Sequence, residues 1–276
     1  MIAPAETPPP ILKVEDLSKS FALPVLKGIS LAVPAGGIVG LIGPNGSGKS
    51  TLFNVITGFE RPDAGRVALR GEYIDGLLPH AIARRGLMRT FQLSQGGLKL
   101  TAIENLIVAS PEHAEHRLFV SLVNPLRVIR RERALLIRAA DVLKLLGLSH
   151  VANEYLGNLS GGQRKLVDIG RMLMAHPAIC LFDEPTAGVN PVLIDVILRA
   201  LRAMNEENGF TIFLVEHNMR VVQDLCRFVY VLSAGQIIAS GTPDAVRADD
   251  RVIASYIGAG HDAARGRRAR ARRAVP

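Results

Sequence analysis

No stretch of this 276-residue chain is apolar for long enough to span a bilayer, because charge or glycine interrupts every run within about ten residues. The opening residues, MIAPAETPPP, lack both a basic start and an apolar segment behind it, so a secretory signal is not expected. There are only two cysteines, Cys180 and Cys226, each inside an apolar run and without metal-ligand spacing. Buried, reduced thiols are therefore expected rather than a disulfide framework or a zinc site. Aromatic residues make up 5% of the chain, and none is interleaved with the arginines near its end. A stacking platform for single-stranded nucleic acid needs that interleaving. Much of the basic surplus lies in the same segment: His261 to Pro276 holds six arginines and one aspartate, leaving +3 of the net +8 for the other 260 residues. A solvated, disordered tail is expected there, with weak attraction to anionic lipid or RNA as the alternative.

Apolar content of 48% with 21% charged residues is that of a globular protein with a substantial core, in one domain or two subdomains. Gly43-Pro-Asn-Gly-Ser-Gly-Lys-Ser50, with Thr51 behind it, fits the phosphate-binding pattern GxxxxGK[ST]. Gly36 to Ile42 reads as a buried strand before it, and Ser50 to Thr57 reads as a helix after it. That strand–loop–helix setting is the context the pattern requires. Gly43, Gly46 and Gly48 let the backbone curl so that N–H groups converge on phosphate oxygens, and the helix N-terminus adds partial positive charge. Lys49 is placed to reach the β- and γ-phosphates, and the Ser50 hydroxyl to ligate Mg²⁺. The chain is expected to bind a nucleotide.

Residues 1–10, with four prolines, read as a flexible leader. Ile11 to Leu17 and Ile29 to Val33 alternate apolar and polar residues, and Gly65 to Leu69 adds a strand, which together predict a small antiparallel sheet. Pro79 to Arg85 reads as a short helix and Met88 to Gln92 as an extended piece. Leu135, Leu136, Leu143 and Leu146 recur at helical spacing in a stretch with few strand signals, predicting a helical subdomain inserted in an α/β core. His113 and His116 are read as part of a polar connection rather than a metal site. Ile179 to Glu184 and Thr211 to His217 are apolar strands with polar ends, and Ser233-Ala-Gly235 joins two strands as a hairpin. Strands alternating with helices predict a mostly parallel sheet covered on both faces.

In such sheets ligands bind beyond the carboxyl ends of the strands. Asp183 suits Mg²⁺, directly or through water, Glu184 suits orienting or deprotonating a water, and His217 suits a hydrogen bond to the γ-phosphate. Singly, Asp183 also fits a helix cap, Glu184 a surface acid and His217 a satisfied core imidazole. Leu159-Ser-Gly-Gly-Gln163 resembles a second anion-binding helix start, with an ordinary N-cap as the alternative.

LSGGQ between GxxxxGKS and LFDEP, followed by a strand-end histidine, resembles an ATP-binding cassette (ABC) ATPase from about Ile11 to Gly258. The resemblance implies a P-loop NTPase of ABC type, in the α/β class. Its mostly parallel RecA-like core would carry an antiparallel β subdomain and a helical subdomain inserted at about 95–175. The cassette would occupy 11–258, and an Arg-rich tail 259–276. It implies ATP and Mg²⁺ as cofactors, with Gly43, Pro44, Asn45, Gly46, Ser47, Gly48, Lys49, Ser50 and Thr51 around the phosphates and Phe21 stacked on adenine. Ser50, Gln92 and Asp183 would hold the metal, and Glu184 and His217 would be catalytic. Ser160, Gly161, Gly162 and Gln163 would complete the site of a second ATPase subunit, itself or a paralogue, in a head-to-tail dimer.

The pattern departs at Asn190, where many members carry Asp, which bears on how tightly the two sites are coupled. The AGVNP string, Ala83 to Gln92, Thr101 to Leu106, Glu216 to Met219 and Val252 to Gly258 are similar to ATPase subunits of branched-chain (hydrophobic) amino acid importers. That branch implies a separate permease, indirect contact with a periplasmic or lipid-anchored solute-binding protein, and a peripheral place on the cytoplasmic face of the inner membrane. Relatives that serve urea, amides, aromatic compounds or lipopolysaccharide export are the alternatives. A soluble cassette acting on nucleic acid is disfavoured: long coiled-coil insertions, zinc-binding cysteines and a second cassette are all missing.

Overall fold

The computed structural model describes residues 10–90, 97–111 and 125–256. The leader before Pro10, Gln92, His113, His116 and the Arg-rich tail lie outside the described residues. Two compact units are present: residues 1–85 with 211–276, and residues 86–210.

The first unit contains an antiparallel sheet and a mostly parallel one. In the antiparallel sheet, β1 (Pro10–Ser20) lies between β2 (Pro24–Pro34) and β4 (Ala64–Leu69), and β4 also pairs with β5 (Glu72–Tyr73). Pro10 therefore opens β1 and is not part of a leader, since a proline is tolerated at the first position of a strand. Strict alternation along β1 would turn Asp16 inward after Leu12 and Val14. Instead Asp16 takes φ 47°, the register slips between Val14 and Leu17, and Leu17 is buried. This bulge keeps a carboxylate out of the core.

The second sheet of this unit is built around β3 (Ile38–Ile42), buried along its whole length as a strand covered on both faces must be. It pairs in parallel with β8 (Thr211–Val215) on one side and β9 (Phe228–Ser233) on the other, and β10 (Gln236–Gly241) closes the edge as an antiparallel hairpin. Helix α1 (Lys49–Ile56) turns Phe53 inward, its ring 5.1 Å from that of Phe213 on β8. Short helices α2 (Pro79–Arg84), α7 (Met219–Leu225) and α8 (Pro243–Arg247) complete the described elements of the unit, with helical residues 250–256 at its end.

In the second unit β6 (Leu87–Arg89) pairs in parallel with β7 (Ile179–Asp183), Arg89 opposite Leu181. Its helices are α3 (Ala102–Ala109), α4 (Pro125–Leu145), α5 (Gly161–Ala175) and α6 (Pro191–Glu206). Leu135, Leu143 and Leu146 are buried as their spacing predicts, but Leu136 faces outward: one residue on from Leu135 lies about 100° around the helix. Gly170 lets α5 approach this layer, since a Cβ there would meet Leu146, Leu106 and Val142.

Candidate functional site

The phosphate loop is built where β3 ends. Gly43 has φ 153°, and a Cβ there would lie 1.9 Å from the Leu232 carbonyl oxygen on β9, so only glycine fits. Gly48 at φ 109° starts α1 without a side-chain cap, leaving the first N–H groups of that helix to a ligand. Lys49 is 6% exposed, and its ammonium donates to the carbonyls of Gly43 at 2.8 Å and Pro44 at 2.9 Å, which draws the side chain across the loop. Gly46, at the tip, faces open space. The Ser47 hydroxyl is buried and finds no hydrogen-bond partner among the described residues. An orphaned hydroxyl beside uncapped helix N–H groups and a buried ammonium is a donor set that suits phosphate oxygens.

Strands β3 and β8 run parallel with Leu41 opposite Val215, so the phosphate loop and His217 follow the same, carboxyl ends of neighbouring strands. The strand stops at Val215, two residues before the predicted end, and His217 is exposed. Glu216 is 2% exposed, and its carboxylate accepts from the backbone N–H groups of His217 at 3.1 Å and Asn218 at 3.4 Å. It fixes the turn that presents the histidine. Phe21 is 57% exposed, with the Lys19 ammonium 5.3 Å from its ring centre, so an aromatic face is available to a flat ligand. The Tyr256 phenol hydrogen-bonds the backbone of Gly43; burial raises its pKa and that hydrogen bond opposes the rise.

In the second unit, Asp183 ends β7 and receives a hydrogen bond of 2.6 Å from Arg89 on the neighbouring strand. It does not cap a helix: its partner is a cation. Glu184 follows with φ 50°, a left-handed conformation that costs a non-glycine residue about 1–2 kcal/mol. Ala187 N–H closes the turn onto the Glu184 carbonyl at 3.2 Å. The carboxylates border a cavity of ≈ 420 Å³ whose wall includes Thr90, Gly161, Lys165 and Asp168. Burial raises the pKa of Asp168, and Arg171, 3.0 Å away, opposes that rise.

Ser160 begins α5 through a reciprocal capping box: its hydroxyl accepts from Gln163 N–H at 3.3 Å, and the Gln163 side chain accepts from Ser160 N–H at 2.9 Å. Within one chain these residues are therefore a helix cap, and the Ser160 hydroxyl keeps its proton to donate outward. Gly161 is exposed with open space beside it. A Cβ at Gly162 would lie 2.5 Å from the Leu193 Cδ1 on α6, so a larger residue there would require that side chain to turn away.

The ABC transporter family matches residues 26–187, more than half of the chain. A second family, described as branched-chain amino acid ATP-binding cassette transporter, matches residues 236–262. The high-affinity branched-chain amino acid transport ATP-binding protein BraF of Pseudomonas aeruginosa is 38% identical over 250 residues, 90% of this chain and 98% of its own length. A crystal structure of an ABC transporter cassette in its ADP conformation superposes with a TM-score of 0.76 at 36% identity, covering 91% of this chain and 99% of the other. A dimeric cassette bound to ADP and Pi after hydrolysis gives a TM-score of 0.68 at 27% identity, covering 84% and 98%.

The chain belongs to the ABC transporter ATP-binding cassette family. It is a P-loop ATPase that binds ATP, and among its described residues no helix is long and apolar enough to cross a membrane.

Three of the cassette's residues near the chemistry have contacts that the sequence pattern does not assign: Arg89, Glu216 and Lys165. Arg89 and Lys165 act on groups far from them in sequence, and Glu216 acts on the backbone of the two residues that follow it. Among the described residues no cluster of three His, Cys, Asp or Glu side chains forms a metal site. The oxygen donors Ser50, exposed at the start of α1, and Asp183, partly exposed at the end of β7, suit Mg²⁺, a hard cation. Asn190 caps α6, its side-chain oxygen accepting from Leu193 N–H at 2.9 Å. An aspartate would make the same bond, so the departure at this position keeps the helix start intact.

Proposed function

We propose that this cassette is the ATPase subunit of an importer for branched-chain or other hydrophobic amino acids, working on the cytoplasmic face of the membrane through a separate permease. The observation that carries the reading is end-to-end similarity to branched-chain amino acid transport ATP-binding proteins, reinforced by the second family match at residues 236–262. In this reading residues 11–258 are the cassette, with the helical subdomain at about 95–175.

Two copies, or one copy and a paralogue, associate head to tail. Gly43 to Thr51 of one chain hold the phosphates, Phe21 the adenine, and Ser160 to Gln163 of the other chain close over the γ-phosphate. Ser50, Gln92 and Asp183 would hold Mg²⁺, which would supply positive charge to neutralise the β- and γ-phosphates. Lys49 spreads its charge over the same oxygens. Glu184 takes the proton of the attacking water, and His217 donates to the γ-phosphate so that the water stays in line. Hydrolysis removes the group that bridges the two subunits, and the dimer opens. Binding energy thus drives closure, and chemistry resets it.

The test is co-purification with a permease, followed by reconstitution with a solute-binding protein. Leucine, isoleucine or valine should stimulate both ATP turnover and uptake, and Glu184→Gln should retain ATP-bound dimers with turnover reduced at least about a hundredfold. Stimulation only by urea, an amide or an aromatic solute would move the cassette to another transport branch. RNA-stimulated turnover without a permease would overturn the transport reading.

A further inference from the structure

Glu184 stands at a backbone angle that glycine adopts freely and glutamate does not, and what faces that turn comes from α5, the helix that begins at the LSGGQ segment. Lys165 lies in α5, four residues after Gly161. Its ammonium donates to the Glu184 carbonyl at 3.1 Å and also to the Ala187 carbonyl. The two acceptors bracket the turn that carries Glu184, and the Ala187 N–H already closes that turn onto the Glu184 carbonyl. One cation therefore ties both ends of a strained turn to a helix anchored at its start by the Ser160–Gln163 capping box. Both partners line the same cavity. A lysine suits this task because three donors on one compact charge can serve two carbonyl oxygens at once.

We propose that Lys165 is a positioning residue: it fastens the turn of Glu184 to α5, so that the carboxylate is held in its catalytic direction by the same helix that meets the neighbouring subunit's nucleotide. The proposal rests on the reading of Glu184 as the catalytic base. Its chemical logic is preorganisation. A carboxylate on a loose turn samples directions that do not face the attacking water, and turnover falls in proportion, whereas nucleotide affinity is set elsewhere.

The experiment compares Lys165→Met, Lys165→Arg, Glu184→Gln and the double variant Lys165→Met/Glu184→Gln, each as the full chain, by steady-state ATP hydrolysis and by binding of a fluorescent ATP analogue. Lys165→Met should lower kcat roughly tenfold or more while KM and analogue affinity stay within about twofold. Lys165→Arg should recover most of kcat, because a guanidinium can still reach both carbonyls. In the Glu184→Gln background the Lys165→Met change should have no further effect, since the group being positioned is gone. Unchanged kcat in Lys165→Met, beside a Glu184→Gln variant that has lost turnover, overturns the positioning role and leaves the Glu184 reading standing. Wild-type turnover in Glu184→Gln overturns both. A loss in Lys165→Met shared by kcat, affinity and melting temperature, and not recovered by arginine, marks a merely structural lysine and also overturns the proposal.

Discussion

The Arg89 guanidinium donates to the Asp183 carboxylate across 2.6 Å, with the two side chains only 12% and 20% exposed. Parallel pairing of β6 and β7 places a cation beside the carboxylate proposed to hold the metal. Replacing Arg89 by Met strands a half-buried charge, at an expected cost of about 2–3 kcal/mol in urea unfolding. With Asp183 as a metal ligand, Mg²⁺ and ATP together should recover more of that loss in Arg89→Met than they add to the parent. Equal stabilisation of both proteins would separate Arg89 from the metal chemistry.

Lys49→Ala removes the buried ammonium and both of its bonds to the loop carbonyls. ATP affinity should fall at least about a hundredfold, close to ~3 kcal/mol, measured by equilibrium binding of a fluorescent analogue. Unchanged affinity would count against the phosphate-loop assignment.

Asn190 separates capping from charge. Asn190→Ala should cost about 1 kcal/mol of stability through loss of the bond to Leu193 N–H, while Asn190→Asp should be close to neutral. Turnover of the aspartate variant then reports on coupling between sites without a stability artefact.

The thiols offer a pH measurement. Burial pushes the Cys180 thiol far up, and burial together with the Glu216 carboxylate pushes Cys226 up to about 12. Both should resist Ellman's reagent at pH 8 in the folded protein and react fully in denaturant. The ordinary thiol value is 9.0, so the unfolded chain ionises first. Any stability these thiols contribute by staying neutral is fully present below pH 9 and declines as pH rises toward 12.

What could be read from the sequence was whatever a short segment carries by itself. The phosphate loop sits between a continuous apolar strand and a helix, so its motif and its setting lie within about twenty residues of each other. Asp183 and Glu184 were legible because an apolar strand stops at them. The bulge in β1 was not: ILKVEDL alternates well enough to conceal that Asp16 must leave the pattern for Leu17 to enter the core. Arg89 and Lys165 were equally silent, because their partners lie 94 and 19 residues away and pair through tertiary geometry. Glu216 lies in a stretch similar to relatives, yet its work is to accept two backbone N–H groups, those of His217 and Asn218.

Gly43 changes how a genetic screen of this protein should be interpreted. Its missing side chain makes room for the backbone of a neighbouring strand at Leu232. Alleles that replace Gly43 will lose transport and will score as ATP-binding mutants, although the lesion is a collision inside the sheet. Alleles at Gly46, where a side chain meets open space but the backbone stands at φ 78°, act instead through the left-handed turn that shapes the phosphate loop. Two glycines three residues apart in one motif therefore give the same phenotype for unrelated reasons, and suppressors should separate them: changes around β9 can relieve the first and have no means of relieving the second.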